Sequence, residues 1–325
     1  MGKDKEITRI VKSYLERFPT NYSRSIARAI YDSHPELGSI EGIRSVVRYY
    51  RGKRGFKNRQ SLVDDRFVDQ EYDIPDSDMD VRDDFILPKQ YNDILMLYDV
   101  HAPYHDIRAI DAMLDWCMDH KINTIILGGD FLDFYQLSSF LRDGRKRNFA
   151  SEIEVGRKLL AYIKDAINPD KVFYLLGNHE YRYERYMIRD APELIDLPSL
   201  KLSELMGLPG VEFVEYGRLI RAGKLFIGHG DEFGGRNSNL VSPARTFSLK
   251  AQTNFMGGHF HRTSMQPMKN LAGEVMGCWS VGCLCGLYAD YMRFNQWQHG
   301  FARVKVKDDG TFKVTNLTIY EGAVM

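Results

Sequence analysis

Two histidines stand one residue apart in FMGGHFHRTS, at the close of a short apolar run: His259 and His261. In an extended chain alternate residues share a face, and two imidazoles on one face commonly hold a metal. Taken alone, the stretch also suits a pair of solvated histidines at a strand end. The rest of the chain repeats the arrangement. DILMLYDVH closes on Asp99 and His101, and INTIILGGDFLD on Asp130 and Asp133. KVFYLLGNHE is followed out to Asn178, His179 and Glu180, and KLFIGHGDE carries His229. Neutral imidazoles mixed with carboxylates suit Mn2+, Fe or Zn2+, whereas an all-oxygen set would point to Mg2+ or Ca2+.

Each of these groups ends an apolar run of strand length, and helical stretches such as IRAIDAMLDWCMDH and ASEIEVGRKLLAYIKDAI lie between the early ones. Strands alternating with helices predict an α/β fold in which polar groups at strand ends converge on one sheet edge. Glycines beside the groups let the backbone turn sharply.

The ordered set D-x-H, G-D-x-x-D, G-N-H-E, G-H and G-H-x-H, from Asp99 to His261, resembles the calcineurin-like metallophosphoesterases. The resemblance implies a four-layer α/β/β/α sandwich of mixed sheets over residues 92–325. It implies two divalent cations, with Mn2+ expected and Fe, Zn2+, Ni2+ or Mg2+ as alternatives. One would be held by Asp99, His101 and His261, the other by Asn178, His229 and His259, and Asp130 would bridge them. Paired cations about 3.5–4 Å apart neutralise phosphate oxygens and lower the pKa of a shared water, so hydrolysis by in-line attack of a metal-bridging hydroxide is expected. By the same resemblance His179 faces the leaving group as an acid, with a structural histidine oriented by Glu180 as the alternative. Asp133 is expected to orient a ligand or His179, and Glu180 to support the site.

Basic residues accompany these blocks. Arg182 and Arg185 follow His179, Arg262 follows His261, and Arg245 and Lys250 lie between the last two blocks. Arg182 is the strongest candidate among them for phosphate contact. The run FGGRNSNLVSP is expected to form a mobile loop over the site, and His105 an exposed loop position. Cys283 and Cys285, in SVGCLCGLY, read as core strand. Four cysteines form no disulfide framework in 325 residues, and reduced thiols in a cytoplasmic setting are expected, the host's cytoplasm if a phage encodes the chain. The sequence has no apolar stretch of membrane-spanning length.

The formal charge is zero, from 44 basic and 44 acidic residues, yet it is unevenly spread. Residues 1–60 carry 14 Lys or Arg against 6 Asp or Glu, while residues 61–90 carry 3 against 10. The second stretch reads as an acidic linker, assigned to residues 61–91. Before it, ITRIVKSYLERF, YSRSIARAIYDSHP and SIEGIRSVVRYYRGKRG each show helical apolar spacing. They predict a small all-α domain over residues 1–60, of helix-turn-helix type. Its third helix carries Arg44, Arg48 and Arg51 on a face away from the apolar stripe, and Lys53, Arg54, Lys57 and Arg59 follow. That basic helix predicts DNA as a partner.

Protein serine/threonine phosphatases continue the second block with D-R-G, where this chain has Phe134 and Tyr135. The layout looks most like phosphoesterases of phages and prokaryotes. A DNA-directed phosphodiesterase or nuclease is therefore expected. The alternative is a phosphatase or phosphodiesterase for a small nucleotide, with the helical domain used for assembly or regulation.

Overall fold

The apolar spacing of the first fifty residues resolves into three helices, α1 (Lys3–Arg17), α2 (Ser23–Ser33) and α3 (Ile40–Tyr50). Val11 and Leu15 of α1, Ile26, Ala27 and Ile30 of α2, and Ile43 and Val47 of α3 form their shared core. The Ser39 hydroxyl accepts from Gly42 N at 3.2 Å and so caps α3. In this computed structural model the described residues are 3–51, 83–139, 148–233, 242–288 and 294–325. The chain divides into two compact units, Met1–Asp80 and Val81–Met325.

The three arginines of the basic helix do not share a free face. Arg44 donates to both carboxylate oxygens of Glu41 at 3.2 and 3.1 Å. Arg51 caps the C-terminus of α3 and turns back across the α1–α2 connection, donating to Pro19 O at 2.9 Å and Ser23 Oγ at 3.4 Å. Burial lowers its pKa. Of the three, only Arg48 lacks a hydrogen-bond or ion-pair partner among the described residues. Helical periodicity fixes the direction in which a side chain leaves the axis, but not the loop it meets there.

The second unit contains strands β1 (Phe85–Ile86), β2 (Asp93–Leu97), β3 (Thr124–Leu127), β4 (Lys171–Leu175), β5 (Val211–Val214), β6 (Ile220–Ala222) and β7 (Leu225–Ile227). They are followed by β8 (Phe255–Gly257), β9 (Ser264–Lys269), β10 (Val275–Ser280), β11 (His299–Val306), β12 (Phe312–Tyr320) and β13 (Ala323–Val324). Its helices are α4 (Ile107–Met118), α5 (Phe149–Ile167), α6 (Tyr181–Asp190), α7 (Leu202–Met206) and α8 (Pro243–Ala251). One sheet has the order β13-β12-β11-β2-β3-β4-β5 and the other β1-β6-β7-β8-β10-β9. Both are mixed: β2 to β5 run parallel and β11 to β13 antiparallel, while β8 pairs in parallel with β7 and β10.

Alternation along β2 shows how the layers stack. Ile94, Met96 and Tyr98 pack with Ile220, Leu225, Ile227 and Met256 of the other sheet. Leu95 and Leu97 point the opposite way, into a core shared with Ile110 and Met113 of α4 and Leu160 and Ile163 of α5. On the far side, Phe247 of α8 packs on Phe255 and Cys278. The result is the expected four-layer α/β/β/α sandwich.

Two sequence expectations are corrected here. The acidic stretch reads as linker through residue 91, but Phe85–Ile86 pairs in parallel with β6. Leu87 is buried, and the rings of Phe85 and Tyr91 lie 5.5 and 5.4 Å from that of Phe173. A charge count over thirty residues hides a short apolar group at the end of the window. Cys283 and Cys285 are buried as expected, but they follow the end of β10 and make only isolated bridges, to His299 and His105. The basic residues Lys53, Arg54, Lys57 and Arg59 lie outside the described residues.

Candidate metal centre

Asp99 and His101 leave the C-terminal end of β2, Asp130 and Asp133 that of β3, and Asn178, His179 and Glu180 that of β4. His229 follows β7, and His259 and His261 follow β8. The ends of parallel strands thus deliver every block to one edge, where α/β sheets place their ligands. The turns are sharp: Asp99, His101, Asp130, His259 and His261 all have left-handed φ, between 49° and 66°. Non-glycine residues visit this region infrequently. Gly129 (φ 103°) and Gly258 permit the packing, since a Cβ on the first would strike the His229 ring and on the second the Asp99 carboxylate.

Two glutamates fasten these turns, the buried Glu180 and the exposed Glu232. Glu180 accepts from the backbone N–H of Asp130, Leu132 and Gly177, each at 2.9 Å, and from the Tyr174 hydroxyl at 2.8 Å. Burial, reinforced by the Asp130 carboxylate, raises its pKa. Glu232 accepts from His229 N at 2.7 Å and Gly230 N at 2.6 Å. The sequence predicts the supporting role of Glu180, whereas no spacing points to Glu232.

All seven residues expected to hold metal converge. His101 Nε2 and His261 Nε2 are 3.2 Å apart, and both face Asp99 Oδ1, at 3.9 and 3.4 Å. His229 Nε2 lies 3.1 Å from Asp130 Oδ2 and 3.1 Å from Asn178 Oδ1. His259 joins Asp130 and His229 in a group with ligating atoms within 4.8 Å of one another. Asp130 belongs to both sides, its Oδ2 also lying 3.9 Å from His101 Nε2.

The donor set fits divalent cations on its own chemistry. Asp99 Oδ1 is buried without a hydrogen-bond partner, a costly state for a carboxylate unless a cation answers it. His101 Nδ1 bonds Asp133 Oδ1 at 2.9 Å and His229 Nδ1 bonds Gly128 O at 3.0 Å. Both partners only accept, so each Nδ1 carries a proton and each Nε2 faces the other donors, free to ligate once it holds no proton of its own.

The charges are strongly coupled in the metal-free arrangement. Burial opposes the charge of His229, yet the Asp130 carboxylate outweighs it and raises that pKa well above the ordinary histidine value. Burial likewise opposes His261, and Asp99 lifts it to about 10. His259 goes the other way, to about 4, through burial and the neighbouring His229 charge. Burial opposes ionisation of Asp130, but His179 and His229 hold its pKa well below the carboxylate range.

His179 adjoins this cluster, its Nε2 3.8 Å from Asp130 Oδ2 and its ring grouped with His101 and Asp130 within 4.8 Å. Its Nδ1 donates to Asp133 O at 2.8 Å, and its Nε2 accepts from Arg182 Nη2 at 2.7 Å. Arg182 Nη1 also donates to Asp133 O at 2.9 Å. Asp133 Oδ1, 2.9 Å from His101 Nδ1 and 3.3 Å from His179 Nδ1, serves both rings together. Burial opposes its charge, and its hydrogen bonds to the two histidines hold its pKa far below normal.

The other basic residues are dispersed. Arg245 is exposed on α8, and Lys250 Nζ donates to Phe233 O. His105 is half-buried rather than exposed. Phe134, where protein phosphatases have arginine-containing sequence, is buried and stacks on Phe149 at 5.3 Å. Residues 234–241 of the expected loop lie outside the described residues. Cys285 is an addition that the sequence did not suggest as a site residue: its Sγ is 3.7 Å from His261 Nδ1, and its thiol groups with His101 and His261.

The chain belongs to the calcineurin-like phosphoesterases: that family's sequence model matches residues 93–257, from β2 through β8. It is accordingly a metal-dependent hydrolase of phosphate esters. Solved structures similar to it include a single mutant of Vps29 from Entamoeba histolytica, at 14% identity and TM-score 0.38, covering 72% of this chain and 96% of that one. Vps29 from Cryptosporidium parvum is 13% identical, with TM-score 0.32 and coverage of 71% and 98%. The nuclease MPE from Pseudomonas putida is 15% identical, with TM-score 0.28 and coverage of 69% and 87%. Among curated proteins none matches the sequence.

Proposed function

We propose that the chain is a phosphodiesterase directed at DNA, a nuclease using two divalent cations. Asp99, His101 and His261 would hold one, Asn178, His229 and His259 would hold the other, and Asp130 would serve both. Mn2+ suits this mixture of imidazole and carboxylate donors. When bound, the cations neutralise phosphate oxygens and activate water. The protein's own groups do the rest. Asp133 fixes the rings of His101 and His179. Arg182 presents a guanidinium beside the cluster for a phosphate oxygen. His179 serves the leaving oxygen once Arg182 turns from its Nε2 to the substrate and that nitrogen takes up a proton.

The observation that carries DNA over other esters is the excess of 14 basic over 6 acidic residues in the first sixty. A second reading, a small-nucleotide phosphodiesterase, is favoured by the engagement of Arg44 with Glu41 and of Arg51 with Pro19 and Ser23. The test offers the Mn2+-loaded protein bis-p-nitrophenyl phosphate, p-nitrophenyl phosphate, and single- and double-stranded DNA. Preference for the diester together with DNA cleavage is expected. Diester or nucleotide hydrolysis with DNA left intact would select the second reading.

A further inference from the structure

Helix α6 begins one residue after Glu180 and carries an arginine stripe away from the metal cluster. Its inner side is fixed: Tyr183 stacks on Phe149 at 5.4 Å and donates to Leu200 O at 2.6 Å, and Met187 is buried. Arg182, Arg185, Tyr186 and Arg189 occur at positions i, i+3, i+4 and i+7, which share one helix face. All four line a single cavity of about 230 Å³ that reaches Asn178. Its remaining wall includes Tyr181 and Tyr216, stacked at 4.3 Å with 13° between their planes.

The chemistry of this face is cationic and aromatic. No acidic side chain is among the described residues that line it. Arg185 is exposed and has no hydrogen-bond or ion-pair partner among the described residues. Among the described residues Arg189 is held by its neighbour Asp190 alone, at 2.7 Å on an exposed surface, a pairing that a phosphate can displace at small cost. Tyr186, 40% exposed, offers a ring between the two arginines.

From Arg182 to Arg189 the helix rises about 10 Å, too far for one phosphate to satisfy the stripe. Successive cations beside an exposed ring suit a strand whose bases are free to stack, as sequence-tolerant single-strand binders do. Bases inside a duplex cannot reach Tyr186. We infer that α6 is a track for single-stranded DNA, with Arg185 and Arg189 on phosphates flanking the scissile one and Tyr186 against a base. The inference rests on the DNA-directed reading above and specifies the substrate of the same site.

The full-length protein with Mn2+ is assayed on single-stranded thymidine oligomers two to eight nucleotides long, and on bis-p-nitrophenyl phosphate. In the wild type kcat/KM should rise with length to a plateau. In the double variant Arg185→Ala/Arg189→Ala, and in Tyr186→Ala, that rise should flatten. The longest oligomer should lose about tenfold in kcat/KM, mainly through KM, with bis-p-nitrophenyl phosphate hydrolysis within about twofold of wild type. Binding of the labelled octamer in chelator should lose about 1.4 from its log–log salt slope in the double variant, about 0.7 for each lost phosphate contact. Oligomer cleavage with unchanged length dependence and salt slope in the variants overturns the track alone. Hydrolysis of the nitrophenyl diester with every oligomer intact also overturns the track, and with duplex DNA left intact as well it overturns the DNA reading too.

Discussion

The strained turns and the proton positions at the metal cluster belong together. Five of the seven residues expected to ligate hold left-handed φ, at a cost of about 1–3 kcal/mol each. Such backbone persists when surrounding bonds over-determine it, as Glu180 does at Asp130 N and the Asp99 carboxylate does at His259 N. The imidazoles then meet the carboxylates before any cation arrives, which explains the pKa of about 10 at His261. Its sign fixes a prediction. A raised pKa means that His261 is protonated at neutral pH in the metal-free protein, and a ligand must shed that proton. Metal affinity should therefore rise about tenfold per pH unit for each released proton, from pH 6 towards 9, and fall on acidification. Competition titrations with a chromophoric chelator check this; affinity flat across that range would show that neither His261 nor His229 releases a proton. A second prediction concerns His179, whose two nitrogens are engaged by Asp133 O and Arg182 rather than by the ligand carboxylates. His179→Ala should retain its metal while kcat falls at least about tenfold, a barrier increase of about 1.4 kcal/mol. The loss should shrink for nitrophenyl esters, whose leaving group needs no proton. Loss of metal content instead would make His179 a ligand.

At the scale of elements, the convergence of the seven candidate residues was readable because each ends an apolar run, and strand alternation leaves little freedom in where such an end points. Glu232 and Cys285 were not, because their contacts depend on how a turn folds back, which no short-range spacing encodes. The same limit applies to α3. Arg44, Arg48 and Arg51 lie at helical offsets that suggest a single face, yet Arg51 sits at the helix end and closes onto the α1–α2 connection. Arg51→Ala should then destabilise the helical unit by about 1–2 kcal/mol, the loss of charged hydrogen bonds to Pro19 and Ser23. Arg48→Ala should leave stability within about 0.5 kcal/mol and reduce the salt slope of duplex DNA binding by about 0.9. Thermal unfolding and salt-dependent anisotropy on the full-length variants separate the two. An Arg51→Ala protein as stable as wild type would put that arginine back on the outer face.

For the whole molecule, the division into Met1–Asp80 and Val81–Met325 leaves all seven expected ligands, Asp133, His179 and Arg182 in the second unit. A chain beginning at Val81 should hydrolyse bis-p-nitrophenyl phosphate nearly as well as the full-length protein. It keeps β1, whose pairing with β6 and whose neighbours Leu87 and Tyr91 belong to the second core. A chain beginning at residue 92, where the sequence alone set the boundary, should behave differently. It loses that edge pairing, the hydrogen bond from Arg218 Nε to Asp83 O and the buried Leu87 side chain. Burial of Leu87 alone is worth about 1.5–3 kcal/mol, so a lower unfolding temperature is expected before any change in the ligands. Both shortened chains lack the basic first sixty residues and should bind duplex DNA more weakly, with a flatter salt dependence. Unfolding and diester hydrolysis measured side by side test the boundary, and a chain from residue 92 as stable as one from Val81 would place β1 outside the folding unit. DNA affinity and salt slope test the role of the helical unit separately. If neither changes when residues 1–80 are removed, the charge of that unit serves something other than DNA, and the small-nucleotide reading becomes the stronger one.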